Sequence, residues 1–136
     1  MTLFFDATMG VRVARALGIV KAPDLDCVTL TQHYRDTPSH GLAIPDERWL
    51  RDATPAGWLV LTQDRHILER PRERREIIDH NVGLVIIRPA DAVNYDVMLF
   101  IIRRMDWLGE VDRESRPFVY RTSIHGRPSR VDLMSS

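Results

Sequence analysis

Short apolar runs alternate with longer amphipathic segments along this chain. The clearest run is WLVLTQD at residues 58–64, which follows the turn pair Ala56-Gly57 and ends in a carboxylate. It is too short for a helix and rich in apolar residues, so it predicts a buried strand that delivers Asp64. Residues 3–5 repeat the arrangement in shorter form and end at Asp6. In an open parallel sheet ligands bind beyond the carboxyl ends of the strands, and both acids are expected there.

Three further stretches have strand patterns. Residues 26–34 alternate between apolar and polar side chains, which predicts a strand with one covered face. Residues 82–87 have almost no polar face, so this strand is expected to be central and covered on both sides. Residues 117–124 predict a last strand, placed at an edge by its arginine. Residues 35–44 are rich in turn formers and predict a surface loop.

Helical spacing of apolar residues fills the intervals between these strands. The first predicted helix is capped by Thr8 and stopped by Gly18, and the second begins at Pro45 and ends near Thr54-Pro55. A third begins at Pro71 and closes near residue 81. The fourth covers residues 92–108, and its stretch 97–102 is apolar nearly all round, which predicts a deeply packed element.

The order of these elements predicts the fold class. Strands and helices alternate as β-α-β-α-β-α-β-α-β, which is typical of a three-layer α/β/α sandwich with a mostly parallel central sheet. We expect one domain over residues 1–124 and a mobile C-terminal tail over residues 125–136, where Gly, Pro and Ser accumulate.

Composition narrows the classes of function. The 136 residues have a formal net charge of zero, which argues against a strongly basic protein that coats nucleic acid. Eighteen of the 19 basic residues are arginine, which suits bidentate contacts with phosphate or carboxylate. The lone Cys27 excludes a disulfide within the chain, and no apolar run is long enough to span a membrane. A cytoplasmic, soluble protein is expected.

Acidic residues occur where a parallel sheet gathers its loops. Asp6 and Asp64 follow the first and third strands, and the pair Asp46-Glu47 lies at a helix start. Two carboxylates about 4 Å apart repel by roughly 4 kcal/mol at an effective dielectric constant near 20, so their convergence favours a bound cation. Oxygen ligands select hard ions such as Mg²⁺ or Mn²⁺, which support cleavage of phosphodiesters.

Each acid also has a purely structural interpretation. Asp46 and Glu47 would complement a helix dipole, and Asp6 and Asp64 would cap the helices or turns that follow them. Two other enzyme or signalling classes with strand-end acids fit less well. Receiver domains need a late lysine, whereas Lys21 is the only lysine here, and haloacid-dehalogenase-type phosphatases need an aspartate where Thr8 stands.

In combination, several motifs resemble PIN-like domains, and most closely the short VapC-type toxin ribonucleases. The motifs are FFDATMGVRVARALG, the block PDERWL, the segment GWLVLTQDRHI and the strand GLVII, within residues 3–105. The resemblance implies a ribonuclease that binds Mg²⁺ or Mn²⁺. By position its catalytic and metal-binding acids are Asp6, Asp46 and Asp64, with Glu47 as the alternative to Asp46. The chain departs from the pattern at Ala7 and Met9, where related sequences often have polar residues.

Two hypotheses from different classes follow. The first is a metal-dependent endoribonuclease, the toxin of a bacterial toxin–antitoxin pair, with RNA as substrate and a small antitoxin or a second copy of the chain as partner at the 117–124 edge. The alternative is a PIN-like scaffold with a degraded site that binds RNA or protein. His66 is a candidate general base, and the arginines between residues 65 and 75 either hold an RNA backbone or pair with interleaved glutamates within a helix.

Overall fold

One six-stranded sheet organises the described residues, 1–20, 24–35 and 44–134, of this computed structural model. The strands are β1 (Thr2–Phe5), β2 (Asp26–Thr29), β3 (Trp58–Thr62), β4 (Gly83–Arg88), β5 (Phe118–Ser123) and β6 (Ser129–Arg130). The helices are α1 (Val11–Val20), α2 (Leu30–His33), α3 (Asp46–Ala56), α4 (Pro71–Asp79), α5 (Asn94–Arg103) and α6 (Met105–Asp112).

The sheet has the order β2-β1-β3-β4-β5-β6 and is parallel except for β6. Phe5 lies opposite Thr29 on one side and Leu61 on the other, so β1 and β3 end side by side. Helices cover both faces, which confirms the predicted three-layer α/β/α architecture. The central position predicted for the strand near residues 82–87 is also confirmed, because β4 lies between β3 and β5.

Alternation along the strands divides the core between the two faces. On β1, Leu3 and Phe5 belong to the cluster that includes residues of α1, α5 and α6, whereas Phe4 belongs to the cluster under α3 and α4. The Phe4 ring stacks on Trp58 with 4.2 Å between centroids. Because both clusters are anchored on β1 and β3, the ends of these strands are firmly placed.

Local capping shortens the second predicted strand. β2 ends at Thr29, whose hydroxyl accepts a hydrogen bond from the Gln32 backbone N–H at 3.1 Å and so caps α2. Side-chain capping therefore outweighs the alternating pattern that predicted a strand to residue 34. The loop predicted for residues 35–44 falls mostly on residues 36–43, which lie outside the described residues.

Three helix boundaries differ from the predictions. α1 continues through Gly18, and α3 continues through Pro55 to Ala56 and is capped by Gly57, whose φ of 74° is the left-handed conformation that glycine adopts without strain. The predicted helix over residues 92–108 is two helices joined at Arg104, and only one face of α5 is buried, with Ile102 exposed. No helix in the described ranges is long and apolar enough to cross a membrane.

The segment after residue 124 returns to the sheet over its described part, which ends at Met134. β6 pairs antiparallel with β5 through Tyr120 and Arg121, and Leu133 is buried in the cluster under α3 and α4. This differs from the expected mobile tail, and it also means that β5 is not the edge strand over these two residues. A two-residue strand is too short to leave a periodic pattern in the sequence.

Candidate active site

The strands β1 and β3 bring Asp6 and Asp64 to the same edge of the sheet. Asp6 directly follows β1, and its backbone N–H donates to the Leu61 carbonyl at 3.3 Å. Asp64 lies two residues beyond Thr62, the last residue of β3. Because parallel strands point the same way, both acids lie at the carboxyl edge, where the sequence predicted them.

Asp6 is buried, with 4% of its surface exposed. Its Oδ1 accepts hydrogen bonds from the Thr8 backbone N–H at 3.0 Å and the Thr8 hydroxyl at 2.5 Å, and its Oδ2 accepts from the Thr62 hydroxyl at 2.5 Å. Burial raises the pKa of Asp6 to about 6, although these hydrogen bonds lower it, and the charge of Asp46 adds to the rise. The carboxylate is therefore held by neutral donors in a poorly solvated position.

Two hydroxyl groups connect Asp6 to the end of β3. Thr62 donates to Asp6 and accepts from the Asp64 backbone N–H at 3.0 Å. The Thr8 hydroxyl accepts from the Gln63 backbone N–H at 2.8 Å. Thr8 was predicted as a helix cap, but α1 begins at Val11 and the Thr8 side chain serves the acid instead.

Asp64 has the same local backbone arrangement as Asp6. Its Oδ1 accepts from the His66 backbone N–H at 3.0 Å, two residues on, as Asp6 accepts from Thr8. Both acids therefore close the turns that follow them, as their structural interpretation proposed. The second oxygen differs, because Oδ2 of Asp64 accepts from the Arg70 guanidinium.

Asp46 is the first residue of α3 and is half-buried. Its Oδ1 accepts from the Trp49 indole N–H at 3.1 Å, and its Oδ2 accepts from Arg70 at 3.3 Å. Burial raises the pKa of Asp46, the Trp49 hydrogen bond and Arg70 oppose this, and Asp64 and Glu73 add to the rise. Asp46 and Asp64 therefore share Arg70 as a hydrogen-bond donor.

Glu47, the alternative to Asp46, has a different partner. Its carboxylate pairs with Arg72 at 3.2 Å. Similarly, Glu76 pairs with Arg51 of α3 at 2.8 Å. These pairs join α3 to α4, whereas Arg70 and Glu73 form a local i,i+3 pair of the kind that the interleaved glutamates predicted.

Arg70 is the residue that the sequence analysis missed. Its terminal nitrogen donates to both Asp46 and Asp64, and its Nε pairs with Glu73 at 3.2 Å. Pro71 restricts the residue before it to extended backbone, and Arg70 has φ −89° and ψ 115°. Proline at the start of α4 therefore helps to direct this arginine towards the acids.

The donor chemistry of Asp6, Asp46 and Asp64 suits a hard divalent cation, because every side-chain ligand is an oxygen. Their arrangement does not yet form such a site: among the described residues, no three His, Cys, Asp or Glu side chains group closely enough to hold one metal ion. The positive group between Asp46 and Asp64 is the guanidinium of Arg70.

A groove of about 1100 Å³ begins at Asp64 and runs along the carboxyl edge of the sheet. Its basic lining consists of Arg65, Arg88 and Arg121. A second groove of about 450 Å³ shares Arg121 and Glu69 with it and continues to β6. The surface beside Asp64 is thus concave and lined by arginines over both grooves.

The other candidate side chains have structural partners. Nδ1 of His66 lies 2.6 Å from Glu69, and its Nε2 accepts from Arg65, so both ring nitrogens are in use. The His33 ring packs edge-on against Trp58. Burial and the charge of Asp26 raise the pKa of Cys27 to about 11, which keeps its thiol protonated at neutral pH.

Comparison with known proteins gives one finding. A family model described as a PIN like domain matches residues 1–89, which include all the acids discussed above. No curated protein and no solved structure matches the chain.

Proposed function

The chain belongs to the PIN-like domain family, and on that premise we propose that it is an endoribonuclease that depends on Mg²⁺ or Mn²⁺. The observation that supports this most directly is that Asp6 and Asp64 lie at one sheet edge, while Asp46, at the start of α3, shares the partner Arg70 with Asp64. Asp46 contributes to the raised pKa of Asp6, and Asp64 contributes to that of Asp46, so the three carboxylates share one electrostatic environment. Like charges that interact in this way favour a nearby cation.

Asp6, Asp46 and Asp64 would hold the metal in this proposal. Bound there, a divalent ion would supply charge stabilisation at the scissile phosphate. The chain's own groups orient the ligands: Thr8 and Thr62 fix the two oxygens of Asp6, and Trp49 fixes one oxygen of Asp46. Hydrogen bonds from such neighbours commonly set the direction of metal ligands.

The grooves beside Asp64 support a nucleic-acid substrate. Arg88 and Arg121 line the larger groove without an ion pair to any described acid, unlike Arg70 and Arg72. Arginines free of acidic partners remain available to phosphates, and their planar groups suit that contact. Since the net charge of the chain is zero, attraction of RNA would be local to this groove.

A second function is favoured by a separate observation. Arg70 already offsets the charges of Asp46 and Asp64, which is the arrangement expected if the site were degraded and the scaffold only bound RNA or protein. This alternative predicts RNA binding with no cleavage, whatever metal is present.

The direct experiment measures cleavage of a labelled single-stranded RNA with Mg²⁺ or Mn²⁺, and with a chelator. Asp6→Asn and Asp64→Asn should each reduce the rate by about a hundredfold or more, because each removes a charged metal ligand. Asp106→Asn, on an exposed first turn of α6, is the matched control and should cleave at the wild-type rate.

Two outcomes would reject the nuclease proposal. If both site variants cut as fast as the wild type, the activity belongs to a contaminant. If the wild type binds RNA with arginine-dependent affinity and never cuts, the binding alternative is correct. Circular dichroism of each variant shows whether a loss of activity is a loss of fold.

The toxin role, with a small antitoxin partner or a homodimer in the cytoplasm, is also a proposal. Because β6 covers part of β5 and β2 is the edge strand on the other side of the sheet, we propose that an added strand would pair with β2. Expression alone should slow bacterial growth, and co-expression of a small protein encoded beside it should relieve this. If the wild type slows growth no more than Asp64→Asn does, the toxin role has no support.

A further inference from the structure

The acids around Arg70 outnumber it. Asp46, Asp64 and Glu73 all contact its guanidinium, so three carboxyl groups surround one positive charge. A single guanidinium thus offsets only part of the negative charge in this cluster. A divalent ion would offset more, provided that Arg70 moved away.

Arg70 is placed to move. Its side chain is 40% exposed, so its charged end can turn to solvent at small cost, whereas Asp64 is 18% exposed and fixed by the turn that it closes. Arg70 also has a second partner that the metal would not need. Its Nε pairs with Glu73, while the terminal nitrogen alone reaches Asp46 and Asp64. Leaving the two aspartates therefore does not require leaving Glu73.

From these contacts we infer that Arg70 is an internal counter-ion that competes with the divalent metal for Asp46 and Asp64. With Arg70 in place, its guanidinium offsets part of the charge of the two aspartates and contacts the oxygens that the metal would need. With metal bound, Arg70 keeps only Glu73. The inference rests on the metal site of the proposed function, and it adds a residue that sets how much metal the site requires.

A purely structural role for Arg70 makes a different prediction. An ion pair that only fastened the start of α4 to the start of α3 would stabilise the fold and have no effect on metal binding. Competition instead links the two: removing Arg70 should destabilise the metal-free protein, because the aspartates then repel without compensation, and should strengthen metal binding.

The test measures Mn²⁺ binding by titration calorimetry and by the electron paramagnetic resonance signal of free Mn²⁺. Arg70→Gln should bind Mn²⁺ about tenfold more tightly than the wild type, because it loses the competing charge but keeps a hydrogen-bond donor. Its melting temperature should be lower without metal and should recover when Mn²⁺ is added. Arg70→Lys keeps a charge without the planar fork and should lie between the two.

Arg72→Gln is the matched control. Arg72 lies in the first turn of α4, just after Arg70, and pairs with Glu47, so this variant should leave Mn²⁺ affinity within about twofold of the wild type. An equal gain in Arg72→Gln would show a general effect of charge and would overturn the inference. Equal or weaker Mn²⁺ binding by folded Arg70→Gln, or no binding by either protein at millimolar Mn²⁺, would also overturn it.

RNA cleavage, measured separately, distinguishes failure of the inference from failure of the proposed function. A wild type that cleaves RNA, with Arg70→Gln unchanged in Mn²⁺ affinity, would reject the inference alone. Tighter Mn²⁺ binding by Arg70→Gln, with no RNA cleaved by any variant, would support the inference and reject the nuclease.

Discussion

Asp6 and Asp64 follow neighbouring strands in the same way but carry their charges in different surroundings. Each accepts a backbone hydrogen bond at 3.0 Å from the residue two positions on. The second oxygen of Asp6 is bound by a threonine hydroxyl inside the protein, whereas that of Asp64 is bound by Arg70 near the surface. The end of the strand thus determines the position of each acid. The partner of its second oxygen determines whether a neutral hydroxyl or a positive guanidinium stabilises its negative charge.

The two acids therefore differ in whether a positive group offsets their charge. Asp6 has no cation partner among the described residues, and burial raises its pKa to about 6. Asp64 has its own cation and borders the open groove. A positively charged ligand would stabilise the negative charge of Asp6 without breaking an ion pair. To bind Asp64, the same ligand must displace Arg70.

The largest expected effect on stability comes from removing the charge of the buried Asp6. A rise in the pKa of Asp6 from 3.8 to about 6 corresponds to about 3 kcal/mol of unfolding free energy. Because the folded state binds the proton more tightly, this stability is fully present below the unfolded pKa of 3.8 and is lost as pH rises through about 6. Asp6→Asn has no carboxyl group at this position, so its stability should not fall in this way as the pH rises.

Denaturant unfolding of both proteins across this range of pH measures the difference directly. The wild type should weaken relative to Asp6→Asn as pH rises, and their curves should run parallel outside the range. Identical pH dependence in the two proteins would show that Asp6 is not the buried, poorly solvated acid described above, and the contrast with Asp64 would fail.

A smaller effect is expected from the hydroxyl that joins the two acids. Thr62→Val keeps the shape of a fully buried side chain but removes the donor to Asp6, which should cost about 1–2 kcal/mol and raise the pKa of Asp6 further. Chemical denaturation and a carboxyl carbon NMR titration measure the two changes. Thr122→Val is matched in burial on β5, where its hydroxyl donates to the Ser123 carbonyl, and should change the pKa of Asp6 little.

The smallest expected effect concerns the open side of the site. In an Asp64→Asn background, Arg88→Gln or Arg121→Gln should weaken RNA binding by about threefold and lower the slope of its salt dependence by about one. Arg103→Gln, at the exposed end of α5, is the control. If Arg103→Gln weakened binding as much as the groove variants, RNA would not be following the groove beside Asp64.

The parts of the fold set by contiguous sequence could be predicted. The apolar runs before Asp6 and Asp64 have strand length and end in an acid, and Pro45 and Pro71 mark helix starts, so order, layers and the edge that bears the acids followed from the sequence. The sequence did not predict boundaries at which a local side-chain or backbone interaction overrides the apolar pattern. The cap at Thr29 that ends β2 is one example, and the passage of α1 through Gly18 is another.

The partners of the acids could not be predicted, because they come from distant parts of the chain. Arg70 and Asp46 are separated by 24 positions, and Thr62 and Asp6 by 56. Among the several arginines of the 65–75 segment, only the register of α4 against α3 singles out Arg70. The restriction that Pro71 places on the residue before it was a usable signal that was overlooked.

The hydrogen bond between Thr62 and Asp6 also bears on how quickly the site forms during folding. Asp6 obtains this partner only when β3 pairs with β1, from which it is separated in the chain by α1, β2, α2 and α3, and contacts of such high sequence separation are slow to form. A collapsed chain with its helices formed but these strands unpaired would lack the buried acid. The site should therefore form together with the native sheet, so refolding followed by the proposed RNA cleavage and refolding followed by sheet formation should have one rate.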